Sequence, residues 1–217
     1  METTLTFSMF FQPPKHRHVC HSCLDQLKPI EGKTCSICGT SSRIDTCSDC
    51  LQWKKRRPHL DTLHRNRSIF SYTDLVQKIF AQWKYRGDYE LGFLFKPFVE
   101  TYFHQKSILD KETVVVPIPL SKERLYERAF NQAEMIAKWI TPQPALLLTR
   151  EHHEKQAKKS KRERISSKNP FILSKSINNP VLLVDDIYTT GTTLRQASAI
   201  LKENGCPKVD AFTLVRS

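Results

Sequence analysis

Residues 181–193 read Val-Leu-Leu-Val-Asp-Asp-Ile-Tyr-Thr-Thr-Gly-Thr-Thr, and this stretch decides the fold. Its first four residues form a continuous apolar run, which is typical of a strand buried on both faces in a parallel sheet. Apolar residues then recur at helical spacing, at Leu194, Ala197, Ile200 and Leu201. The stretch therefore predicts a buried strand, a hydroxyl-rich turn and the start of a helix.

The chain around this stretch continues the alternation of strands and helices. We expect strands at 68–73, 113–116, 145–148 and 208–215. Helical patterns start at Asp74, cover 88–105 and include Met135, Ile136 and Trp139 on one face. Alternating elements of this kind predict an α/β fold with an open, mostly parallel sheet.

The turn after the strand has the chemistry of a phosphate site. Backbone N–H groups at a helix start, together with the helix dipole, favour an anion. Gly191 allows close approach, threonine hydroxyls donate to phosphate oxygens, and the two acids accept hydrogen bonds from sugar hydroxyls, directly or through Mg²⁺. The candidate residues are Asp185, Asp186, Thr189, Thr190, Gly191, Thr192 and Thr193. The alternative, a helix cap with surplus threonines, leaves two acids without a partner.

Six of the seven cysteines form three Cys-x2-Cys pairs within residues 20–50. Two such pairs complete a tetrahedral zinc site. The best quartet is Cys35, Cys38, Cys47 and Cys50, since Gly39 favours a tight turn and the intervening loop is short. Cys20 and Cys23 are then half a site, either unpaired or binding a metal with His16, His18 or His21. The pattern predicts a small, closed, structural zinc ribbon.

Charge and hydropathy restrict the partners and the compartment. The formal net charge is +12, which favours nucleic acid, an anionic membrane or phosphorylated ligands, the alternative being a merely soluble basic protein. No apolar run reaches membrane-spanning length. The apolar N-terminal segment is short, contains Glu2 and lacks the basic residues that precede the apolar part of a secretory signal peptide. We therefore expect a cytoplasmic protein without an integral membrane segment, in which cysteines bind metal rather than form disulfides.

Residues 181–193 resemble the signature by which type I phosphoribosyltransferases bind phosphoribosyl pyrophosphate (PRPP). The resemblance implies that Asp185 and Asp186 contact the ribose hydroxyls and that residues 189–193 hold the 5′-phosphate. It also implies that Mg²⁺ accompanies PRPP, and that pyrophosphate lies near Pro117, Ile118, Pro119 and Arg124. Tyr188 stands where that family has an aliphatic residue, and we expect it to affect packing more than binding.

Several further motifs resemble the ComF family of competence-associated proteins. They are residues 116–120, Arg124, Arg128, the triplet 130–132, the ending 212–216 and the preceding cysteine module. Ala129 stands where that family generally has Gly. Many relatives begin with an additional Cys-x2-Cys pair that this chain lacks, and two explanations stay open: a truncated chain, or a start codon placed downstream of the true one.

The segment 150–168 is strongly basic and supports two functional interpretations. Its candidate nucleic-acid contacts are Lys155, Lys158, Lys159, Lys161, Arg162 and Arg164. The segment either closes over PRPP as a lid or tracks a DNA backbone, the remaining alternative being a solvated loop. Trp53, Trp83 and Tyr85 lie beside cations and could stack single-stranded bases, although Trp83 fits the core face of its helix better.

Two functions are compatible with these features. The ComF resemblance implies a competence protein that assists uptake or processing of transforming single-stranded DNA, with a ComFA-like helicase as partner and PRPP or a nucleotide as ligand. The alternative is an active PRPP-dependent phosphoribosyltransferase with an unknown acceptor, for which no catalytic residue is apparent. We expect a zinc module at 1–55, a basic linker or exposed strip across 51–67 and a phosphoribosyltransferase-like domain at 68–217. Transferases of this fold are commonly homodimers, so by analogy of fold we also expect a homodimer.

Overall fold

The computed structural model describes residues 26–27, 29–85, 88–106, 109–150 and 169–217. The strands in these ranges are β1 (Arg65–Ser71), β2 (Val114–Pro117), β3 (Leu148–Arg150), β4 (Phe171–Leu173), β5 (Val181–Tyr188) and β6 (Val209–Arg216). Four of them form one sheet in the order β1-β6-β5-β2, and every neighbouring pair is parallel. The predicted open parallel sheet is confirmed.

Helices cover both faces of this sheet. They are α1 (Ser48–Arg56), α2 (Asp74–Tyr85), α3 (Lys96–Lys106), α4 (Lys122–Arg128), α5 (Gln132–Ile140) and α6 (Thr192–Glu203). Short 3-10 turns lie at Pro58–Leu60 and Glu90–Leu94, so the pattern predicted across 88–105 is divided into a 3-10 turn and α3. None of the described helices is long and apolar enough to span a membrane.

Alternation along β5 explains why its apolar run is continuous. Val181 and Leu183 pack in one core cluster with α6 and the four described ribbon cysteines. Leu182 and Val184 pack in a second cluster with α2, α3 and α5. Trp83 belongs to that second cluster and is fully buried, which confirms its predicted core position. Both faces of the strand are therefore buried, as the sequence predicted.

The strand predicted at 145–148 is wrong in both extent and pairing. Only Leu148 of that segment is in a strand, β3, which pairs antiparallel with β4 outside the main sheet. Ala145 donates a single backbone hydrogen bond to Val115 O at 2.8 Å. Leu147 and Leu148 are buried in the cluster that contains Val116 and α6, whereas Leu146 is 62% exposed, so the segment lies beside the sheet without adding a fifth strand to it.

Of the two alternatives for 51–67, the linker is wrong, whereas the basic residues 54–57 are exposed, as an exposed strip requires. Residues up to Arg56 belong to α1, Pro58–Leu60 form a 3-10 turn, and β1 already begins at Arg65. Leu63 is buried in the cluster that contains α6 and the cysteines. Its basic residues give the segment a linker-like composition, but its apolar residues attach it to the sheet. The division of the chain into two domains stays a prediction.

Ala129 has the left-handed backbone conformation that glycine favours. It ends α4 with φ 64° and ψ −16°, and it is exposed. A Cβ in this region costs about 1 kcal/mol or more. Ala129, which stands where the family resemblance leads us to expect Gly, therefore has a strained backbone conformation.

We predict that Ala129→Gly raises the free energy of unfolding by roughly 0.5–1 kcal/mol, because Gly removes the Cβ strain. Urea denaturation followed by circular dichroism measures the change. Ala81, an exposed residue within α2, is the matched control, and Ala81→Gly should lower the same quantity by a similar amount. Destabilisation by both changes would contradict the strain at Ala129.

Candidate functional site

Two adjacent acids emerge at the edge of the sheet where β2 ends. Pro117, the last residue of β2, pairs with Val184, so Asp185 and Asp186 lie just beyond the end of that neighbour. β5 itself does not stop at the acids as the sequence suggested, because it continues through them to Tyr188 beside β6. Both side chains are thus fixed on a paired strand rather than on a loop.

The electrostatics of the two acids differ. Burial, reinforced by the negative charge of Asp186, raises the pKa of Asp185 to about 7, although Lys84 and Arg150 oppose the shift. Asp186 is 8% exposed and forms an ion pair with Lys84 Nζ from α2 at 2.6 Å. One acid is therefore paired with a cation, while burial raises the pKa of the other.

Two further cations belong to the surroundings of Asp185. Burial lowers the pKa of Arg150, the nearby charge of Arg124 lowers it further, and the charge of Asp185 raises it. The Arg150 guanidinium also lies over the Phe171 ring, 5.5 Å from its centroid. A partly buried cation with a second cation beside it is unfavourable unless an anion is shared between them.

The turn after β2 is held against these acids by the motif that precedes α5. Ile118 N–H donates to Val184 O at 2.9 Å, which keeps the turn beside β5. Asn131 Nδ2 donates to Ile118 O at 3.0 Å, and Asn131 Oδ1 accepts from Ala133 N–H as the N-cap of α5. One side chain thus fixes both the proline turn and the start of a helix.

Gly191 is required by the shape of the loop between β5 and α6. Its φ is 77°, and a Cβ there would collide with the hydroxyl oxygen of Tyr188. Tyr188 is buried, as expected from a packing role, and burial raises its pKa to about 12. Thr190 and Thr192 hydroxyl oxygens lie 2.9 Å apart, so the exposed loop clusters its hydroxyls before the first turn of α6.

Four cysteines form a buried cluster with the dimensions of a metal centre. The sulfur atoms of Cys35, Cys38, Cys47 and Cys50 all lie within 4.8 Å of one another. Cys35 and Cys50 sulfurs are 3.9 Å apart, and Cys38 and Cys47 sulfurs are 3.6 Å apart. Zinc–sulfur bonds of about 2.3 Å place tetrahedral ligands about 3.8 Å apart. The cluster therefore has the geometry to hold a metal ion, and zinc fits it.

Buried positive charge faces this cluster. Arg195 Nη2 lies 3.7 Å from Cys50 Sγ, and Arg216 Nη2 lies 3.9 Å from Cys38 Sγ. Hydrogen bonding from Cys50 lowers the pKa of Cys38 to about 4, against the effect of burial. Four thiolates around a divalent ion carry a net charge of about −2, which two arginines offset. Neutral thiols would leave this buried positive charge with less compensation.

The structure brings several predicted residues together and reveals others. Asp185, Asp186, the loop and the turn at Pro117–Pro119 share one edge of the sheet, and the quartet of cysteines is assembled as expected. Cys20, Cys23 and the basic candidates Lys155, Lys158, Lys159, Lys161, Arg162 and Arg164 lie outside the described residues.

Sequence reasoning missed three contributors to the site. Lys84 has no predicted role beyond lying between Trp83 and Tyr85 in the sequence, yet it pairs with Asp186. Arg150 was included only in a basic segment, yet it lies close enough to Asp185 to affect its pKa. Trp53 donates from Nε1 to Thr190 O at 3.0 Å, which joins α1 to the loop. No local sequence signal identifies these partners, since each contact joins residues distant in the chain.

Comparison with protein families agrees with the architecture. The model of the phosphoribosyl transferase domain matches residues 126–217, which include α5, β5, the threonine loop, α6 and β6. The matched region ends with the last strand of the sheet and contains both acids. The cysteine cluster and β1 lie outside the match.

Individual relatives extend the likeness over the whole chain. The chain is 39% identical to the competence protein ComFC of Bacillus subtilis over 97% of this chain and 88% of that protein. It is 30% identical to ComFC of Streptococcus pneumoniae over 100% of this chain and 96% of that one. The match to a solved hypoxanthine phosphoribosyltransferase from Staphylococcus aureus covers 56% of this chain and 62% of that one, with 20% identity and a TM-score of 0.34.

We predict opposite stability effects from neutralising the two acids. Asp185→Asn should raise the free energy of unfolding at pH 8 by roughly 1–2 kcal/mol, because the ionised carboxylate is disfavoured in the fold. Asp186→Asn should lower it by roughly 1–3 kcal/mol, because Lys84 loses its partner.

The pH dependence provides the check. The folded pKa of Asp185 is raised, so its unfavourable contribution is complete above pH 7 and disappears as the pH falls through the unfolded value of about 4. Urea denaturation at pH 8 and pH 4 should therefore show the gain from Asp185→Asn only at the higher pH. A loss of stability at pH 8 would contradict the assignment.

Proposed function

Because the chain belongs to the ComFC family of competence proteins, we propose that it binds a phosphoribosyl ligand of the PRPP type and assists handling of transforming single-stranded DNA. The observation that carries the ligand proposal is the pair Asp185 and Asp186 on β5, which is followed at the end of that strand by the threonine loop and the start of α6. A sugar with a phosphate on one side and hydroxyls on the other matches that order of groups.

Each part of the ligand has a proposed contact. The 5′-phosphate binds Thr189–Thr193 and the helix start, where hydroxyls cluster around Gly191. The ribose hydroxyls donate to the acids, directly or through Mg²⁺. Pyrophosphate lies near Pro117, Ile118 and Pro119, with Arg124 and Arg150 as the cations that neutralise it.

The cysteine cluster has a structural role in this proposal. Cys35, Cys38, Cys47 and Cys50 bind one zinc ion with no open position, which gives folding free energy rather than catalysis. Arg195 and Arg216 support it, since they place positive charge beside two of the sulfurs. The ribbon then fixes α1, which begins at its third ligand, beside the sheet.

The role in DNA handling rests on the family and on charge. Both ComFC relatives are competence proteins by name, and the net charge of this chain is +12. We propose that Lys155, Lys158, Lys159, Lys161, Arg162 and Arg164 contact the DNA backbone. A cytoplasmic location, a ComFA-like helicase as partner and a homodimer complete the proposal.

We predict that PRPP with Mg²⁺ binds the wild-type protein in calorimetry and that Asp185→Ala/Asp186→Ala abolishes the heat of binding, because the sugar hydroxyls lose their acceptors. The matched control is Asp110→Ala/Glu112→Ala, which removes the same charge from exposed residues just before β2. The metal content of each variant shows whether the ribbon is intact.

Two outcomes decide between the candidate roles of this site. Absence of PRPP binding by a metal-loaded wild-type protein would overturn the ligand proposal and leave the DNA role alone. Release of pyrophosphate from bound PRPP when nucleobases are added would show turnover and establish the transferase.

We also predict that neutralising Lys158, Lys159, Lys161 and Arg162 weakens binding to labelled oligo-dT and flattens its dependence on salt. Each phosphate contact removed reduces the slope of log K against log salt by about 0.7. Fluorescence anisotropy at several salt concentrations measures both effects.

The control for this experiment removes four exposed lysines elsewhere, Lys33, Lys78, Lys111 and Lys122. This control variant loses the same four positive charges, so a difference in DNA affinity between the two variants reports a local contact. Equal affinities and slopes in both variants would show that the basic segment is not the DNA site.

A further inference from the structure

A cleft separates α1 from the threonine loop. Its volume is about 440 Å³, and it lies between the ribbon and the sheet. From the ribbon side it is lined by Asp49, Gln52, Trp53, Arg56 and Arg57, and from the loop by Thr189, Thr190 and Thr192. The cleft is therefore continuous with the loop to which the 5′-phosphate is assigned above.

The two walls of this cleft offer complementary groups to an anion. Asp49, Trp53 and Arg56 recur at intervals of three to four residues and so share one face of α1. Hydroxyls line the opposite wall. Two arginines against one acid leave the lining positive, and among the described residues neither Arg56 nor Arg57 forms an ion pair. Both guanidinium groups are thus available to a ligand.

Trp53 fixes the spacing between the two walls. Its Nε1–H donates to Thr190 O at 3.0 Å. Two guanidinium groups lie over its ring, with Arg57 5.5 Å and Arg195 5.0 Å from the centroid. Arg195 belongs to α6 and is fully buried. The indole therefore joins α1, the loop and α6, and it contacts Arg57, which lines the cleft.

The metal cluster holds the other end of α1. Cys47 is the N-cap of the helix and Cys50 lies in its first turn, so two of the four sulfurs that could bind the ion bracket the start of α1. The helix has only 9 residues and cannot be stable alone. The position of Arg56 and Arg57 relative to the loop thus depends on the cluster.

We propose that α1 forms the second wall of the phosphate site, so that a phosphomonoester held by the threonine loop is also bound by Arg56 and Arg57. The inference rests on the proposed function, since it assigns further contacts to the same ligand. Planar guanidinium groups bind phosphate oxygens in bidentate fashion, and they add charge that the hydroxyls of the loop lack. Loss of the metal would then weaken ligand binding without any change to the loop itself.

The test compares two double variants of one helix. Arg56→Ala/Arg57→Ala removes the proposed contacts, and Lys54→Ala/Lys55→Ala removes the same charge from exposed positions that do not line the cleft. Calorimetry with PRPP and Mg²⁺, and separately with ribose 5-phosphate, measures affinity. We expect the arginine variant to bind both ligands about 10- to 100-fold more weakly, as for the loss of charged hydrogen bonds, and the lysine variant to match wild type.

The outcomes separate this inference from the proposed function. Absence of PRPP binding by the wild-type protein would overturn both. Binding by wild type that both double variants retain equally would leave the sugar-phosphate site in place and overturn the role of α1. An equal loss in both variants would show a general effect of charge and would likewise overturn it.

Two further variants guard against misfolding. Arg56→Gln and Arg57→Gln, made singly, keep long polar side chains on the helix, and each should weaken ribose 5-phosphate binding several-fold. Metal content measured on the same samples shows whether the ribbon remains loaded. Unchanged affinity in both single variants, with the metal retained, would overturn the proposal even if the double variant failed to fold.

Discussion

Two buried guanidinium groups facing four sulfur atoms are the constraint on which the remaining structure depends. Arg195 belongs to the helix that begins at the threonine loop, and Arg216 ends the strand beside Tyr188. Asp61 pairs with Arg195, so the segment between α1 and β1 joins the same network. Buried charges are tolerated only when they are paired, and removal of one partner leaves the other uncompensated. The ribbon is therefore coupled through charge to the elements that carry the candidate ligand site.

Charges also interact closely at the edge of the sheet that carries the two acids. Asp185 and Asp186 are neighbours on a paired strand, and among the described residues Lys84 forms an ion pair with Asp186 but not with Asp185. The charge of Arg124 lowers the pKa of Arg150, and the charge of Asp185 raises it. The two carboxylates repel each other, and so do the two guanidinium groups. Hydroxyl donors or a cation beside the acids, and phosphate oxygens beside the arginines, would offset that repulsion. Strain of this kind is typical of binding sites, where stability is given up for affinity.

The sequence predicted those parts whose signals are local. The apolar run of β5, the helical spacing of α6 and the paired cysteines each depend on a few adjacent residues, and all three are confirmed. It failed where the partner is distant. Trp53 and Arg57 read as part of a basic strip, because nothing near them in the chain shows that Thr190 and Arg195 are their neighbours. β4 was missed because a strand of three residues carries almost no periodicity.

The positive charge of the chain serves different purposes in different places. Lys84, Arg195 and Arg216 are buried or nearly so and face carboxylates, sulfurs or a carbonyl oxygen, so they act within the fold. Arg56 and Arg57 are exposed at the end of α1, beside the hydroxyls of the loop. Two cations beside clustered hydroxyls suit a compact ligand whose charge is concentrated on a phosphomonoester. A polymer with one charge per nucleotide instead favours many exposed cations and a steep response to salt. Under the proposed function, the positive charge that is not paired within the fold therefore serves two ligands, a small anion and a long one.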